Sequence, residues 1–276
     1  MIYTVSKSTL LLLGLLSLPA VGDITTGHMD QKSGSAPVKK AQIGEIAANW
    51  LDEHPKFLNA TPESLRQQQQ VQQQMQQALI LQNRAVLLDG STPSVGPKNA
   101  AAAVVMFFDY QCISCSKMAP ILAKLRQDNP DVRFIFREYP IFAARWPVSS
   151  YAARVGEAVW AIKGGDAYLH YHNSIFGSQK VGGKLTTEDV SNAAQPYLNK
   201  QQIALAEETS TQGELHNKIY KNIELGSELL LSGIPAIIVL PVNGYRENSL
   251  SVMSYTSSEE ALRQAILKAK SGASSQ

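Results

Sequence analysis

The feature that most constrains this chain is a pair of cysteines, Cys112 and Cys115, that follows closely on a long apolar run. The run at residues 101–108 reads AAAVVMFF, which is typical of a strand buried on both faces of a sheet. After the cysteines, apolar residues recur at helical spacing, at Met118, Ile121, Leu122 and Leu125. We therefore predict an α/β fold in which a strand, a tight connection and a helix beginning at Cys112 follow one another.

The predicted position of Cys112 indicates redox chemistry. A thiol in the first turn of a helix faces unpaired backbone N–H groups and the positive end of the helix dipole, which both favour the thiolate. Cys112 is therefore the predicted nucleophile, and Cys115, one turn later and more buried, the predicted resolving thiol. A disulfide between them would close a loop of about four residues and stabilise the fold by only about 2 kcal/mol, so we expect a redox-active bond.

The charge composition argues against a nucleic-acid-binding function. With 25 Lys and Arg against 23 Asp and Glu the formal net charge is +2, too little to predict a nucleic-acid partner.

Two thiols can be half of a metal site, and His170 and His172 are the candidate additional ligands. Because these histidines lie at helical spacing in an aromatic-rich stretch, packing is the favoured interpretation. We expect neither a metal ion nor another cofactor.

The first 22 residues predict a secretory signal peptide. Lys7 precedes an apolar run at residues 10–18, which is too short to span a bilayer. Pro19 and the small residues that end at Gly22 favour cleavage after Gly22. The alternatives are an uncleaved anchor and an ordinary buried helix. Export would place the cysteines in the oxidising periplasm, and association with the outer membrane remains an open alternative.

Residues 23–92 predict a separate, mainly helical region. A short amphipathic helix at residues 43–58 ends near His54, and Thr61 caps a Gln-rich helix that extends to Arg84. One face of this second helix is thinly apolar, at Val71, Met75, Ala78 and Leu79. Such a helix buries too little to be stable alone, so it is either a solvated spacer or an association surface. We predict homo-oligomerisation through residues 43–84, followed by a turn-rich linker at residues 89–93.

A proline at the start of a second apolar strand complements the cysteines. The sequence SGIPA at residues 232–236 leads into IIVL, and proline is tolerated where a strand begins. With a cis peptide bond, the backbone of Ile234 could pair with an extended substrate beside the disulfide. An ordinary trans Pro235 is the alternative.

Taken together, these motifs resemble the DsbA family of exported thioredoxin-fold thiol–disulfide oxidoreductases. The motifs are FFDYQCISC at residues 107–115, FREYPI at residues 136–141, residues 152–160, YLHYH at residues 168–172 and GIPA at residues 233–236. The N-terminal region also resembles that of the branch with an additional oligomerising segment, which includes suppressor-of-copper-sensitivity proteins of the C type. The resemblance covers roughly residues 43–268.

The resemblance implies a thioredoxin domain at residues 93–272. A helical insertion at about residues 141–230 would separate the strand at 132–138 from the strand that begins near Pro235. It further implies catalysis by Cys112 and Cys115, with cis-Pro235 in contact with the substrate. The sequence agrees with this layout, because Asn243-Gly244 predicts a hairpin turn and residues 257–260 predict a capping box at a final helix.

Departures from the family pattern affect the expected activity. Met106 occupies the position of an acid that can accept the proton of the resolving thiol, so Asp109 or Glu138 acting through water is the substitute hypothesis. Ile113-Ser114 lacks the histidine of strong oxidants, and Ile234 precedes the proline as in reducing thioredoxins. We therefore predict a periplasmic isomerase or reductase of cysteine-containing exported proteins, served by a membrane redox partner of unknown identity. The alternatives are a DsbA-like oxidase and a copper-binding or copper-tolerance protein that uses the same thiols.

Overall fold

The computed structural model describes residues 40–54, 62–208, 213–246 and 248–273. It divides into two units, one ending at Thr61 and one beginning at Pro62, and each is described by itself. The predicted signal peptide, the leader and the Thr61 cap lie outside the described residues. Among those residues, no helix is both long enough and apolar enough to cross a membrane.

The first unit contributes one described helix, α1 (Lys40–Glu53). It ends where His54 and Pro55 predicted an end. The ring of Trp50 stacks on that of His54 with their centroids 4.3 Å apart. Both Ile46 and Trp50 expose large fractions of their side chains, 65% and 43% respectively.

The second unit is built on a five-stranded sheet in the order β1-β3-β2-β4-β5. The strands are β1 (Ser94–Val95), β2 (Ala102–Phe108), β3 (Arg133–Glu138), β4 (Ala236–Pro241) and β5 (Ser251–Ser254). Strand β2 pairs with β3 in parallel and with β4 antiparallel. Every residue of β2 and β4 is buried, because their continuous apolar runs suit the two-sided interior of the sheet.

Helices cover this sheet and separate its two halves along the chain. In chain order they are α2 (Pro62–Gln82), α3 (Arg84–Leu87), α4 (Ile113–Asp128), α5 (Val148–Lys163), α6 (Gly165–Gly177), α7 (Thr187–Ala194), α8 (Lys200–Glu208), α9 (Glu214–Glu228) and α10 (Glu259–Ala273). Helices α5 to α9 lie between β3 and β4, and α10 packs on β2 and β4. The predicted fold class, a thioredoxin fold with a helical insertion, is confirmed.

The structure places the boundary between the two regions earlier than residue 92. Ile80 of α2 and Leu87 of α3 are fully buried in the same core as the sheet. The guanidinium of Arg137 in β3 donates to the carbonyl of Leu87 at 3.2 Å, which ties α3 to the sheet. The end of the Gln-rich helix is therefore part of the unit that carries the cysteines, whereas Val71 and Met75 earlier in that helix are exposed.

Three local features of the structure differ from what the sequence predicted. The two-residue edge strand β1 pairs with β3 and was not predicted. Asn243-Gly244 lies between the antiparallel strands β4 and β5, as a hairpin signal predicts, but the connection spans nine residues, 242–250, and is not a two-residue turn. At α10, Ser258 Oγ accepts from the N–H of Ala261 at 3.1 Å, and because alanine occupies the third helical position it cannot complete a capping box. A complete box instead opens α7, between Thr186 and Asp189.

Candidate functional site

Cys112 is the N-cap of α4, as the sequence predicted for the start of this helix. Its backbone is extended, and its Sγ accepts a hydrogen bond from the N–H of Cys115 at 3.2 Å. Both residues are free thiols. Cys112 keeps 5% of its surface exposed and Cys115 none, so of the two residues only Cys112 meets solvent.

The surroundings separate the acidities of the two thiols. A hydrogen bond from the Cys115 thiol lowers the pKa of Cys112, and the N–H groups of Cys115 and Ser114 add to this effect against the opposing cost of burial. Burial raises the pKa of Cys115 well above its usual value, and the hydrogen bond to Cys112 raises it further. The thiolate therefore forms at Cys112 while Cys115 stays protonated.

The start of β4 lies against the nucleophile. Phe107 of β2 pairs with Ala236 of β4, so the residues just before Ala236 meet the chain that leaves β2 toward Cys112. The Ile234–Pro235 peptide bond is cis. The carbonyl oxygen of Ile234 lies 3.7 Å from Cys112 Sγ, and both Ile234 and Pro235 are buried.

Asp109 is buried between the strand and the thiols. Its Oδ1 accepts from the N–H of Gln111 at 2.8 Å and from Ser149 Oγ at 2.7 Å, and its Oδ2 accepts from the N–H of Phe142 at 2.9 Å. Burial nevertheless raises the pKa of Asp109, and its charge contributes to raising the pKa of both cysteines. Of the two relay candidates, Asp109 is the one that the structure brings to the thiols.

Glu138 lies in a different buried network. Its Oε1 accepts from Tyr168 at 2.8 Å and from Tyr110 at 3.1 Å. Burial raises the pKa of Glu138 well above its usual value. Glu138 therefore holds Tyr110, in the connection that leads to Cys112, without being placed beside the sulfurs. Met106, at the position of the family's acid, is buried within β2.

The two histidines do not complete a metal site. His172 is buried, and its ring contacts those of Phe108, Phe136 and Phe176 at centroid distances of 4.9–5.0 Å. Burial lowers the pKa of His172 to about 4. His170 is exposed. In the part of the chain that the structure describes, no three His, Cys, Asp or Glu side chains are grouped as ligands.

Sequence reasoning did not identify Gln111 as a site residue. Gln111 is buried, and it holds the connection between α6 and α7, residues 178–186. Its backbone carbonyl accepts from the N–H of Gly182 at 3.0 Å, and its Oε1 accepts from the N–H of Gly183 at 2.7 Å. The sequence signal that could have pointed to this contact is the pair Gly182-Gly183. Glycine tolerates positive φ, and both residues adopt it in the structure.

A thioredoxin fold that combines an N-capping cysteine, a second cysteine one turn later and a cis-proline strand start is the architecture of thiol–disulfide oxidoreductases. The family model described as Thioredoxin matches residues 88–252. None of the curated proteins matches the chain. The chain belongs to the thioredoxin family, and the family resemblance inferred from its motifs is confirmed.

Solved structures agree with this assignment. BcfH of Salmonella enterica Typhimurium is 47% identical, with a TM-score of 0.70, and the match covers 83% of this chain and 95% of BcfH. A linker-deletion variant of Proteus mirabilis ScsC is 20% identical, with a TM-score of 0.59 and coverage of 86% and 99%. The thiol-disulfide exchange protein α-DsbA2 of Wolbachia pipientis is 19% identical, with a TM-score of 0.59 and coverage of 71% and 96%. The last two show likeness of fold.

Proposed function

We propose that this protein is a periplasmic disulfide isomerase or reductase that acts on exported, cysteine-containing proteins. The observation that carries the thiol–disulfide exchange is the contrast between the thiols. Cys112 is reachable and has a lowered pKa, whereas Cys115 is fully buried with a raised pKa. This contrast assigns Cys112 as nucleophile and Cys115 as resolving thiol.

The exchange begins when the Cys112 thiolate attacks one sulfur of a substrate disulfide. A bond forms between Cys112 and that sulfur, and the other substrate sulfur leaves as a thiolate. In isomerisation, a different substrate thiolate attacks the bound substrate sulfur and releases Cys112, with no net oxidation. In reduction, Cys115 loses its proton and attacks Cys112, which releases the reduced substrate and leaves a Cys112–Cys115 disulfide.

The backbone beside Cys112 supports binding of an extended substrate. The Ile234 carbonyl lies at the nucleophile, and the Pro235 carbonyl accepts from the N–H of Tyr255 at 2.8 Å, which ties this strand start to the chain after β5. Ile234 and Pro235 would thus contact the substrate segment that holds the disulfide.

Isomerisation is favoured over oxidation by the N-terminal region. Ile46 and Trp50 of α1, and Val71 and Met75 of α2, expose large apolar side chains. We infer that they associate with further copies of the chain, so that several sites act on one misfolded substrate. A membrane redox partner would keep Cys112 and Cys115 reduced.

Refolding of ribonuclease tests the proposed direction. Full-length protein is added to scrambled ribonuclease in a glutathione buffer, and recovery of ribonuclease activity is followed over time, with Cys112→Ser as the control. The proposal predicts that the unaltered protein restores activity and that the variant does not. Reactivation of reduced ribonuclease by the oxidised protein, without reactivation of scrambled ribonuclease, would overturn it.

One observation favours the second candidate, a DsbA-like oxidase. Hydrogen bonds that lower the pKa of Cys112 stabilise the reduced form, and a stabilised reduced form makes the couple more oxidising. Equilibration with glutathione measures the reduction potential directly. A value of about −180 mV supports an isomerase, and one of about −120 mV supports the oxidase. No observation in the described residues favours copper binding.

A further inference from the structure

The connection between α6 and α7 forms one wall beside the nucleophile. We define residues 178–185 as the strap. Gln111, directly before Cys112, accepts from two consecutive N–H groups of the strap, those of Gly182 and Gly183. The strap also faces the residue after Cys112, since a Cβ built at Gly182 would meet Ile113 Cδ1 at 3.6 Å. Ile113 itself is 56% exposed.

The strap is packed against a second segment, residues 141–147. A Cβ at Gly183 would lie 2.7 Å from Trp146 Nε1, so only glycine allows this approach without movement of the indole. The guanidinium of Arg145 lies over the same indole, 4.7 Å from its centroid. The segment is anchored to the site by Asp109, which accepts from the N–H of Phe142. The strap and Arg145 therefore belong to one surface around Cys112.

This surface carries positive charge without exposed acids. The segments around Cys112 are residues 112–119, residues 141–147, the strap, residues 232–235 and residues 250–258. Together they contain four basic residues, Lys117, Arg145, Lys180 and Lys184, and neither Asp nor Glu. Over the whole chain the formal net charge is only +2, so the distribution is strongly asymmetric.

One of the four basic residues is neutralised by an ion pair, and the others are free to attract an acidic ligand. Lys180 pairs with Asp189 of α7. Within the described part of the chain, Lys117, Arg145 and Lys184 form no ion pair with a carboxylate. Asp109, the acid closest to the thiols, is buried beneath them. A ligand that contacts Ile113 and Trp146 thus also meets a surface with three uncompensated cations, of which Arg145 lies on Trp146 itself.

We propose that Ile113, the strap, Arg145 and Trp146 bind the substrate segment that flanks the reacting cysteine, and that this surface selects segments with Asp or Glu beside the cysteine. This inference rests on the proposed exchange reaction and adds a substrate class to it. The apolar side chains contact the segment without regard to charge, whereas Arg145 and Lys184 distinguish acidic segments from basic ones.

Three matched peptides test the proposal on the reduced, full-length protein. Each carries one cysteine as a mixed disulfide with 2-mercaptoethanol, flanked on both sides by Glu, Gln or Lys. The second-order rate constant with each peptide is divided by its rate constant with free 2-mercaptoethanol, which removes the intrinsic reactivity of the peptide. We expect the Glu peptide to react roughly fivefold faster than the Gln peptide at low ionic strength, and the Lys peptide to react more slowly than both. The difference should fall below about twofold in 0.5 M NaCl.

Variants locate the source of the selectivity. Arg145→Gln with Lys184→Gln should bring the three peptides within about twofold of one another. The matched control, Lys200→Gln with Lys268→Gln, changes the net charge equally on α8 and α10 and should retain the preference. Equal rates for the three peptides with the unaltered protein, or a preference retained by the Arg145 and Lys184 variant, would overturn the proposal.

The neutral reagent bis(2-hydroxyethyl) disulfide distinguishes a failure of the charge selectivity from a failure of the exchange reaction. If the unaltered protein reacts with this reagent but does not discriminate among the peptides, the charge selectivity fails and the exchange reaction stands. If it reacts with none of the disulfides, the proposed function itself fails. The control variant, Lys200→Gln with Lys268→Gln, should react with this reagent as the unaltered protein does.

Discussion

Replacement of Ile80 by alanine tests whether the end of the Gln-rich helix belongs to the core of the catalytic unit. The side chain of Ile80 is fully buried, in the same cluster as Leu87 and strands β2 and β4. Ile80→Ala removes three carbon atoms from this cluster and leaves a cavity. Gln73→Ala on the same helix is the matched control, because Gln73 is exposed and alanine preserves the helix.

The expected loss of unfolding free energy follows from the complete burial of Ile80. Truncation of a fully buried isoleucine to alanine costs about 2–5 kcal/mol, and an exposed change on a helix less than about 0.5 kcal/mol. With a urea m-value of about 3 kcal/mol/M for a unit of this size, a loss of about 3 kcal/mol lowers the unfolding midpoint by about 1 M. Urea unfolding followed by far-UV circular dichroism measures the shift, with both cysteines reduced in every sample.

The same experiment can contradict the structure. If Ile80→Ala and Gln73→Ala unfold within about 0.2 M of each other, α2 contributes nothing to the core and the boundary lies after it, as the sequence predicted. Repetition at several protein concentrations isolates the effect of association, because a contribution from self-association depends on concentration whereas a cavity does not.

Three further outcomes are expected. Cys115→Ser should accumulate mixed disulfides between Cys112 and its substrates, visible on non-reducing gels, whereas Cys112→Ser should form none; equal trapping by both variants would contradict the assigned roles. Because the pKa of Cys112 is lowered, alkylation of the reduced protein by iodoacetamide should reach half its maximal rate at a lower pH than that of a free cysteine, and a higher midpoint would refute the thiolate assignment. Burial raises the pKa of Glu157 from 4.5 to about 7, so its contribution to folding is present below pH 4.5 and is lost as the pH rises through 7. Glu157→Gln should therefore gain stability relative to the unaltered protein between pH 5 and 8, by up to about 3 kcal/mol, and parallel stability curves would exclude this.

Features of the fold that depend on local sequence could be predicted from it. Strands β2 and β4 are continuous apolar runs rich in β-branched or aromatic residues, which favours a strand covered on both faces. The start of α4 at Cys112 followed from helical spacing in the residues beyond it. Each of these features is determined by side chains within one segment.

Features that depend on a distant partner could not be predicted in this way. The two residues of β1 are a strand only because β3 pairs with them. Ile80 occupies a thinly apolar face that would suit either a solvated helix or an association surface, and only the sheet beside it makes it part of a core. The sequence around Gln111 does not predict its role, because its two oxygens accept hydrogen bonds from N–H groups about 70 residues later in the chain.

The surroundings of the two candidate proton-relay residues, Glu138 and Asp109, also depend on distant parts of the chain. Glu138 pairs in register with Phe108, but its side chain accepts from Tyr110 and Tyr168. Asp109 follows directly after β2, three donors hold its carboxylate, and its charge acts on the pKa of both thiols. Their positions relative to the sulfurs depend on the helical insertion, which supplies Tyr168 to one and Ser149 to the other.

The position of Asp109 suggests how the chain functions with Met106 in place of an acid. Cys115 is protonated at rest and must lose its proton before it can attack Cys112, and a carboxylate that accepts it would speed this step. Burial raises the pKa of Asp109, which makes it a better proton acceptor than an exposed aspartate. The charge of Asp109 also disfavours the thiolate at both cysteines, so protonation of Asp109 would lower the pKa of Cys115 when the resolving step requires it. We propose that Asp109, in the turn after the strand, both receives the proton and, by losing its charge, stabilises the resolving thiolate.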